Sequence, residues 1–586
     1  MPKTYSVRFD AKIPVRMRDG TTLYADVLRP VGRGKFPALL QRTPYDRTSP
    51  ITRSFLVDVN RAAQRGYAVV IQDCRGRFAS EGEFHTFVNE INDGYDTVEW
   101  TASQPWCDGN VGMFGGSYVG ATQWLAAKAV PPSLKGIAPG VTASNYHEGW
   151  TYQGGAFELG FNLTWAAGLT GSNWDNLSRR YKGLNKRGLN KMLNTIDNLD
   201  PAFRHLPLKD LPELKGEHTK YYYAWLDHPE YDAYWQKLSI EESHSQIKAA
   251  AFNYGGWYDI FLGGTLQNYI RMKKMGATPA ARKGQRLTIG PWVHGGSAVE
   301  FAGVPVGEHY FGVRSYSLSI DLHGRILRYY DHILKGMDNG VADEKPVNIF
   351  VMGDDVWRQE DDWPLKRAKD TRYYFHSRGK ANTLAGDGML STESPGGETP
   401  DVFLYNPINP VPTKGGQLCC NDAYINPGAF DQRLIETRPD VLCYSTPPLS
   451  RDVEVTGPVT VTLYAASSAR DTDFTAKLVD VGPDNSYARN LTDGIIRARY
   501  RKGGKAQLIT PGEVYEYQID LWATSNVFKK GHQIRVEISS SNFPRFDRNA
   551  NTGKPNNEDP DFVTATQTIL HDAKHPSHIV LPIVAK

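Results

Sequence analysis

Residues 110–124 read NVGMFGGSYVGATQW: a short apolar run, a serine among glycines, then helical spacing. A serine on a sharp turn between strand and helix is lifted above the sheet edge, and such a turn is strained enough to need small neighbours. Here the strand VGMF meets Gly115-Gly116-Ser117-Tyr118-Val119-Gly120, and the helix VGATQWLAAKAV follows. The second small residue comes one place later than in G-x-S-x-G. A Gly-Ser cluster alone is as readily a polar turn; the strand before it and the helix after it favour a nucleophile.

Working outward, residues 12–30 read as a hairpin, with KIPVRM and TLYADVLRP flanking the turn Arg18-Asp19-Gly20. FPALLQRTPY and GYAVVIQDCRG are strand-like, with RSFLVDVNRAAQR as the crossover and DGYDTVEWTASQ as a further helix. Nearly continuous apolar strands alternating with helices predict an α/β class with a parallel sheet covered on both faces, here over residues 1–144. From 145 to 245 helical spacing rich in aromatics replaces the strands and reads as a cap inserted into the sheet domain. Strand signals return in IKAAAFNYGGWYD and GQRLTIGPWVHGG, so the sheet domain resumes over 246–351, closed by the helix LHGRILRYYDHILKG with Gly336 at its C-terminal cap. Over 352–586 short strands separated by turn residues predict an antiparallel jelly roll.

A serine nucleophile needs a general base and an acid to orient it, and in this architecture both follow later strands in the order serine, acid, histidine. AAAFNYGGWYD ends in Asp259, and RLTIGPWVH ends in His294. His147 falls in the cap, and His323 and His332 on the closing helix, so they fit worse. The backbone amide of Tyr118, next after the nucleophile, is one oxyanion donor; a second should come from the loop after the early strand, where LLQRTPYDR places Tyr45.

The motifs GGSYVG, TPYDR, QDCRGRFASEGEF, DGYDTVEW, GGWYD, GPWVHGG and PDVLCYSTPPL together resemble those of the CocE/NonD hydrolases, a group related to cocaine esterase, α-amino acid ester hydrolases and X-Pro dipeptidyl-peptidases. The resemblance covers nearly the whole chain and implies an α/β-hydrolase core with cap and jelly roll. It implies Ser117, Asp259 and His294 as the triad, with the Tyr45 hydroxyl and Tyr118 amide as oxyanion donors. It implies no metal and no organic cofactor. The substrate is then a small-molecule ester or amide. Asp259 is followed by Ile260-Phe261-Leu262-Gly263-Gly264, with none of the close acids that capture an ammonium group in α-amino acid ester hydrolases. Glu148 and Glu158 in the cap read as solvated. The aromatic cap, with Trp150, Phe157, Phe161 and Trp165, suits an apolar or aryl acyl group; Trp165, Trp150 and Phe261 are the expected pocket wall. Rival readings are an X-Pro dipeptidyl-peptidase or amide and β-lactam acylase on the same triad, and a non-catalytic carbohydrate-binding or scaffold protein.

A net charge of +3 on 586 residues gives no electrostatic footprint for nucleic acid. No run of about 18 apolar residues spans a bilayer, and the N-terminal stretch lacks a signal-peptide pattern. Five cysteines without metal-like spacing, two of them adjacent at Cys419 and Cys420, read as free thiols of a cytoplasmic protein. Homo-oligomer formation is left open. In DCRGR, Asp73 and Arg75 are expected to brace loops near the site, and DRNANTGKPNNED lacks regular calcium-ligand spacing and reads as a polar loop.

Overall fold

The computed structural model describes residues 4–54, 57–181, 184–295, 305–420, 424–555 and 558–585. Ten strands form one sheet in the order Val7–Arg16, Thr22–Pro30, Ala68–Asp73, Phe36–Thr43, Cys107–Gly116, Leu134–Gly140, Ala250–Tyr258, Arg286–Val293, Val347–Val351 and Val356–Glu360. From Ala68–Asp73 to Val347–Val351 every neighbouring pair is parallel. Ala68–Asp73, Phe36–Thr43 and Ala250–Tyr258 are buried at every residue, as strands covered on both faces must be. The edge hairpin pairs Val15 with Leu23 and Arg16 with Thr22, its turn closing at Gly20 with φ 87°. On the faces lie helices Glu90–Ser103, Tyr118–Lys128, Leu262–Met275 and Leu322–Lys335. The last is capped by Asp321, whose carboxylate accepts from Gly324 N at 3.1 Å, and ends at Gly336 with φ 64°.

Two details depart from the sequence reading. The inserted segment contains a small hairpin, Tyr152–Gln153 with Ala156–Phe157. Gly154 and Gly155, at φ 54° and 83°, supply the two positive-φ positions of a tight hairpin turn. The sheet also runs past the expected boundary at 351: a turn through Gly353 (φ 83°) and Asp355 (φ 53°) folds Val356–Glu360 back antiparallel on Val347–Val351.

The C-terminal region is an eleven-stranded, predominantly antiparallel sheet folded on itself. Its hub is Val453–Ser467, long enough to pair with Tyr515–Phe528, Ala565–Leu570 and His578–Val584. One hydrophobic core crosses from this region into the first sheet, joining Trp522, Leu521, Tyr517 and Phe375 to Trp257, Leu262, Leu266 and Phe350.

Candidate active site

Ser117 sits at φ 62°, ψ −131° between the strand Cys107–Gly116 and the helix Tyr118–Lys128. Its neighbours explain the glycines. A Cβ on Gly115 would lie 2.4 Å from Val119 Cγ1, and one on Gly120 would lie 2.8 Å from Thr142 Cβ and 2.9 Å from the Gly140 carbonyl. The small residue at 120 is therefore set by the approach of the helix to the next strand. Ser117 N donates to Gly140 O at 3.0 Å, which pins the turn to that strand.

His294 follows the strand Arg286–Val293, and Asp259 the strand Ala250–Tyr258. The imidazole spans both partners: Nε2 lies 2.9 Å from Ser117 Oγ and Nδ1 lies 2.8 Å from Asp259 Oδ1. Asp259 is fully buried, and its Oδ1 also accepts from Phe261 N at 3.1 Å, which fixes the carboxylate plane. A second group of the same residue types, Ser377, His571 and Asp401, lies buried in the β-domain. There hydroxyl and carboxylate meet the same nitrogen, Nε2, at 3.1 and 2.9 Å, so the ring cannot relay a proton between them.

Tyr45 stands in the loop after Phe36–Thr43, its hydroxyl bonded to Ser117 and accepting from Trp165 Nε1 at 3.1 Å. Because the indole N–H occupies an oxygen lone pair, the single phenolic proton is free to point at the serine side. Burial pushes the Tyr45 hydroxyl up to about 12, against the hydrogen bonds with Trp165 and Ser117 that pull it down, so the group stays a donor far into the alkaline range. The Tyr118 N–H begins its helix and has no acceptor within it.

The three expected wall residues come together. Trp150 stacks on Phe261 with centroids 4.1 Å apart, Trp165 lies 5.5 Å from Trp150, and the Phe261 ring meets His294 in a T at 5.1 Å. Trp150 and Phe261 expose no surface; they form a rigid floor behind Trp165, which alone of the three touches the Tyr45 hydroxyl.

Asp73 braces the Tyr45 loop as expected, accepting from Arg47 N at 2.8 Å and pairing with its guanidinium. Arg75 instead pairs with Asp93 and Asp19. The sequence reading missed Arg77. Buried, it donates to Pro44 O at 2.8 Å, Leu169 O at 2.8 Å and Ser172 Oγ at 3.2 Å, clamping the residue before Tyr45 to the cap helix Leu159–Ser172. DCRGR carries three charges in five residues, and no spacing rule tells which one turns inward.

Two expectations are corrected. Glu158 is buried, not solvated: burial pushes its carboxyl up to about 8, and its nearest cation, Arg545 Nε, is 3.8 Å away. Glu148, by contrast, is exposed as expected, and lines a cavity of about 540 Å³ together with Glu241, Asp520 and Tyr231. Nor are all five cysteines free thiols, since Cys419 and Cys420 are bonded to each other while Cys74, Cys107 and Cys443 are free and buried. Adjacent sequence position gave no hint, because neighbouring cysteines seldom meet.

Comparison with known proteins agrees with this architecture. Residues 19–296 match the family profile of X-Pro dipeptidyl-peptidase (S15 family), and 339–580 match the X-Pro dipeptidyl-peptidase C-terminal non-catalytic domain. The chain is 41% identical to cocaine esterase of Rhodococcus sp. (strain MB1 Bresler), over 99% of each chain. An aminopeptidase from a marine sediment Thaumarchaeota archaeon superposes with TM-score 0.79 at 25% identity, over 99% of this chain and 97% of that one. An α-amino acid ester hydrolase superposes with TM-score 0.78 at 24% identity, over 100% and 97%. An α/β-hydrolase core with a C-terminal β-domain, matched along its whole length, places the chain in the CocE/NonD family of serine hydrolases.

Proposed function

We propose that this enzyme cleaves carboxylic esters with an apolar or aryl acyl group through an acyl-enzyme, using Ser117, His294 and Asp259. Ser117 Oγ attacks the carbonyl carbon while His294 Nε2 takes its proton, and the carbonyl electron pair moves onto oxygen. Tyr118 N–H and Tyr45 O–H donate to that oxyanion, and Asp259 stabilises the imidazolium. As the carbonyl re-forms, the alkoxide leaves with the proton from Nε2. Water, deprotonated by His294, then repeats the sequence in reverse and frees the acid and Ser117. The observation that carries this reading is the imidazole bonded at 2.9 Å to Ser117 and 2.8 Å to buried Asp259. Trp165, backed by Trp150 and Phe261, supports an apolar or aryl acyl group rather than a charged one. Among the described residues no helix is long and apolar enough to cross a membrane, and cytoplasmic residence goes with the reading.

The test is Ser117→Ala with a fluorophosphonate label. Turnover should fall on the order of 10⁴–10⁶-fold and labelling should vanish, as for residues that act as one unit; retention of a tenth of the activity would sink the assignment. The S15 profile keeps amide cleavage as the second reading. Aryl esters should exceed X-Pro anilides in kcat/KM by about 10² or more, the discrimination a site gains when it lacks a partner for a substrate's charged group. A preference for the anilides would reverse the choice.

A further inference from the structure

The β-domain sends one segment back to the triad. Gln417 Nε2 donates to Trp257 O at 3.3 Å and to Thr492 Oγ1 at 2.8 Å, and Leu418 forms a parallel bridge with Asp259. That anchor sets the next two residues, Cys419 and Cys420, beside the catalytic imidazole. One His294 ring nitrogen and the two sulfurs all lie within 4.8 Å of one another. Cys419 is buried with the aromatic wall, in the same cluster as Trp150, Trp165 and Phe261, while Cys420 faces solvent. None of the acyl-transfer chemistry uses either sulfur.

The geometry points to a second, inhibitory function for this group: with the Cys419–Cys420 bond reduced, both thiolates and His294 bind a thiophilic divalent cation of the zinc class. Two thiolates and an imidazole select such ions over magnesium or calcium. Tetrahedral zinc, with bonds of about 2.0–2.3 Å, needs its ligands roughly 3.5–3.8 Å apart; once their bond is reduced the two sulfurs swing apart to that spacing, and the imidazole nitrogen, already within 4.8 Å of both, closes on them. Binding must stop catalysis whichever nitrogen is used. Nδ1 is engaged by Asp259 and Nε2 by Ser117, so coordination removes one of the two triad hydrogen bonds. Coordination through Nε2 fits better, since Asp259 on Nδ1 is then the carboxylate that orients a metal-bound histidine.

The site is gated by oxidation state. Bonded to each other, as here, the sulfurs offer no thiolate. A dithiol reductant delivers two electrons and two protons to the Cys419–Cys420 bond and itself becomes a disulfide. Cation binding then releases the two thiol protons. The enzyme would be insensitive to zinc when oxidised and silenced by it when reduced.

The inhibitory consequence rests on His294 being the general base, so the test includes a readout independent of turnover. Full-length enzyme is reduced with a phosphine, freed of it, and titrated with Zn²⁺; an oxidised sample is run in parallel. One equivalent should lower ester turnover of the reduced enzyme by at least about tenfold, reversibly with a chelator, since a general base contributes about 10²–10⁴-fold, and should leave the oxidised enzyme within about twofold. Co²⁺ added to reduced enzyme should give a thiolate-to-cobalt charge-transfer band. Cys419→Ser/Cys420→Ser should lose both the band and the zinc effect relative to its own cation-free rate; exposed Cys420→Ser alone should weaken both if the double variant does not fold. Equal inhibition of the serine variants, insensitivity of the reduced wild type, or cobalt binding without a thiolate band would each overturn the proposal. A thiolate band without inhibition would retain the metal site but remove His294 from either the site or the triad.

Discussion

In the proposed mechanism Tyr45 and Arg77 divide the oxyanion side between chemistry and position. Tyr45→Phe removes one donor and keeps the ring, and kcat should fall about 10²–10³-fold with little change in KM, because the bond strengthens in the transition state. It also leaves the Trp165 N–H without its acceptor, so a stability loss of about 1–3 kcal/mol should accompany it. A kcat within about threefold of wild type would make Tyr45 a packing residue. The hydroxyl's elevation to about 12 has a definite sign: an ordinary tyrosine would lose its proton near pH 10, whereas this one remains a donor. Ester turnover at pH 10.5 should therefore show no Tyr45-dependent drop; a drop present in wild type and absent in Tyr45→Phe would show that the proton leaves early. Arg77 gives its hydrogen bonds to neutral oxygens, and burial lowers its pKa, so its charge is held for the sake of its reach. Arg77→Met should cost about tenfold in kcat by freeing Pro44, and much of that cost should disappear in a Tyr45→Phe background, since contacting residues couple. Additive losses would make Arg77 merely structural.

At the scale of elements, the turn carrying Ser117 was legible because its demands are local. Gly115 has φ 123°, which L side chains avoid, and Gly120 meets the next strand closely enough to exclude a methyl group. Gly120→Ala should push the helix Tyr118–Lys128 away from Gly140, costing about 1–3 kcal/mol in unfolding free energy and lowering kcat further than that loss alone explains. An unchanged denaturation midpoint would refute the close approach. Asp259 and His294 were legible for a similar reason: each follows directly on a buried strand, and chain order did the rest. What joins distant stretches was not legible. The bridge from Leu418 to Asp259 pairs a β-domain segment with the end of a core strand, and no periodicity in LCC announces it. The clamp by Arg77 and the burial of Glu158 are likewise products of packing between elements, where sequence shows only a charged residue in a polar context. The hairpin at Gly154-Gly155 had a turn signature but strands of two residues, too short to show alternation.

At the scale of the whole molecule the β-domain cannot be an appendage. Its side chains complete a core that begins in the catalytic sheet, with Trp257 Nε1 donating to Phe350 O at 2.7 Å beneath Trp363 and Trp522 packed against Gly263, where a Cβ would come 2.7 Å from the indole. It also holds the cap: Phe157 N donates to Asp547 Oδ1 at 2.8 Å, Asp547 pairs with Arg497, and Gly160 N donates to Arg545 O at 3.2 Å. Those contacts fix the start of the helix Leu159–Ser172, which carries Trp165 onto Tyr45. Removing everything after residue 351 would uncover the apolar face formed by Trp257, Leu262, Leu266 and Phe350, and also take away the last strand of the first sheet, Val356–Glu360. An exposed apolar patch of that breadth drives association. A chain of residues 1–351 should be insoluble, and one of residues 1–362, which restores the edge strand, should remain so, because the uncovered face is the larger defect. A milder cut separates cover from positioning. Asp547→Ala leaves the shared core and the backbone bond from Asp547 N to Phe157 O in place but removes the acceptor of Phe157 N and strips Arg497 of one partner, so the protein should stay soluble while kcat/KM for aryl esters falls about tenfold or more, the loss expected when a positioning contact about an ångström off misplaces a reacting group. If residues 1–351 alone stay soluble, monomeric and fully active, the β-domain is an independent module and both the shared core and the return segment at Cys419 lose their role.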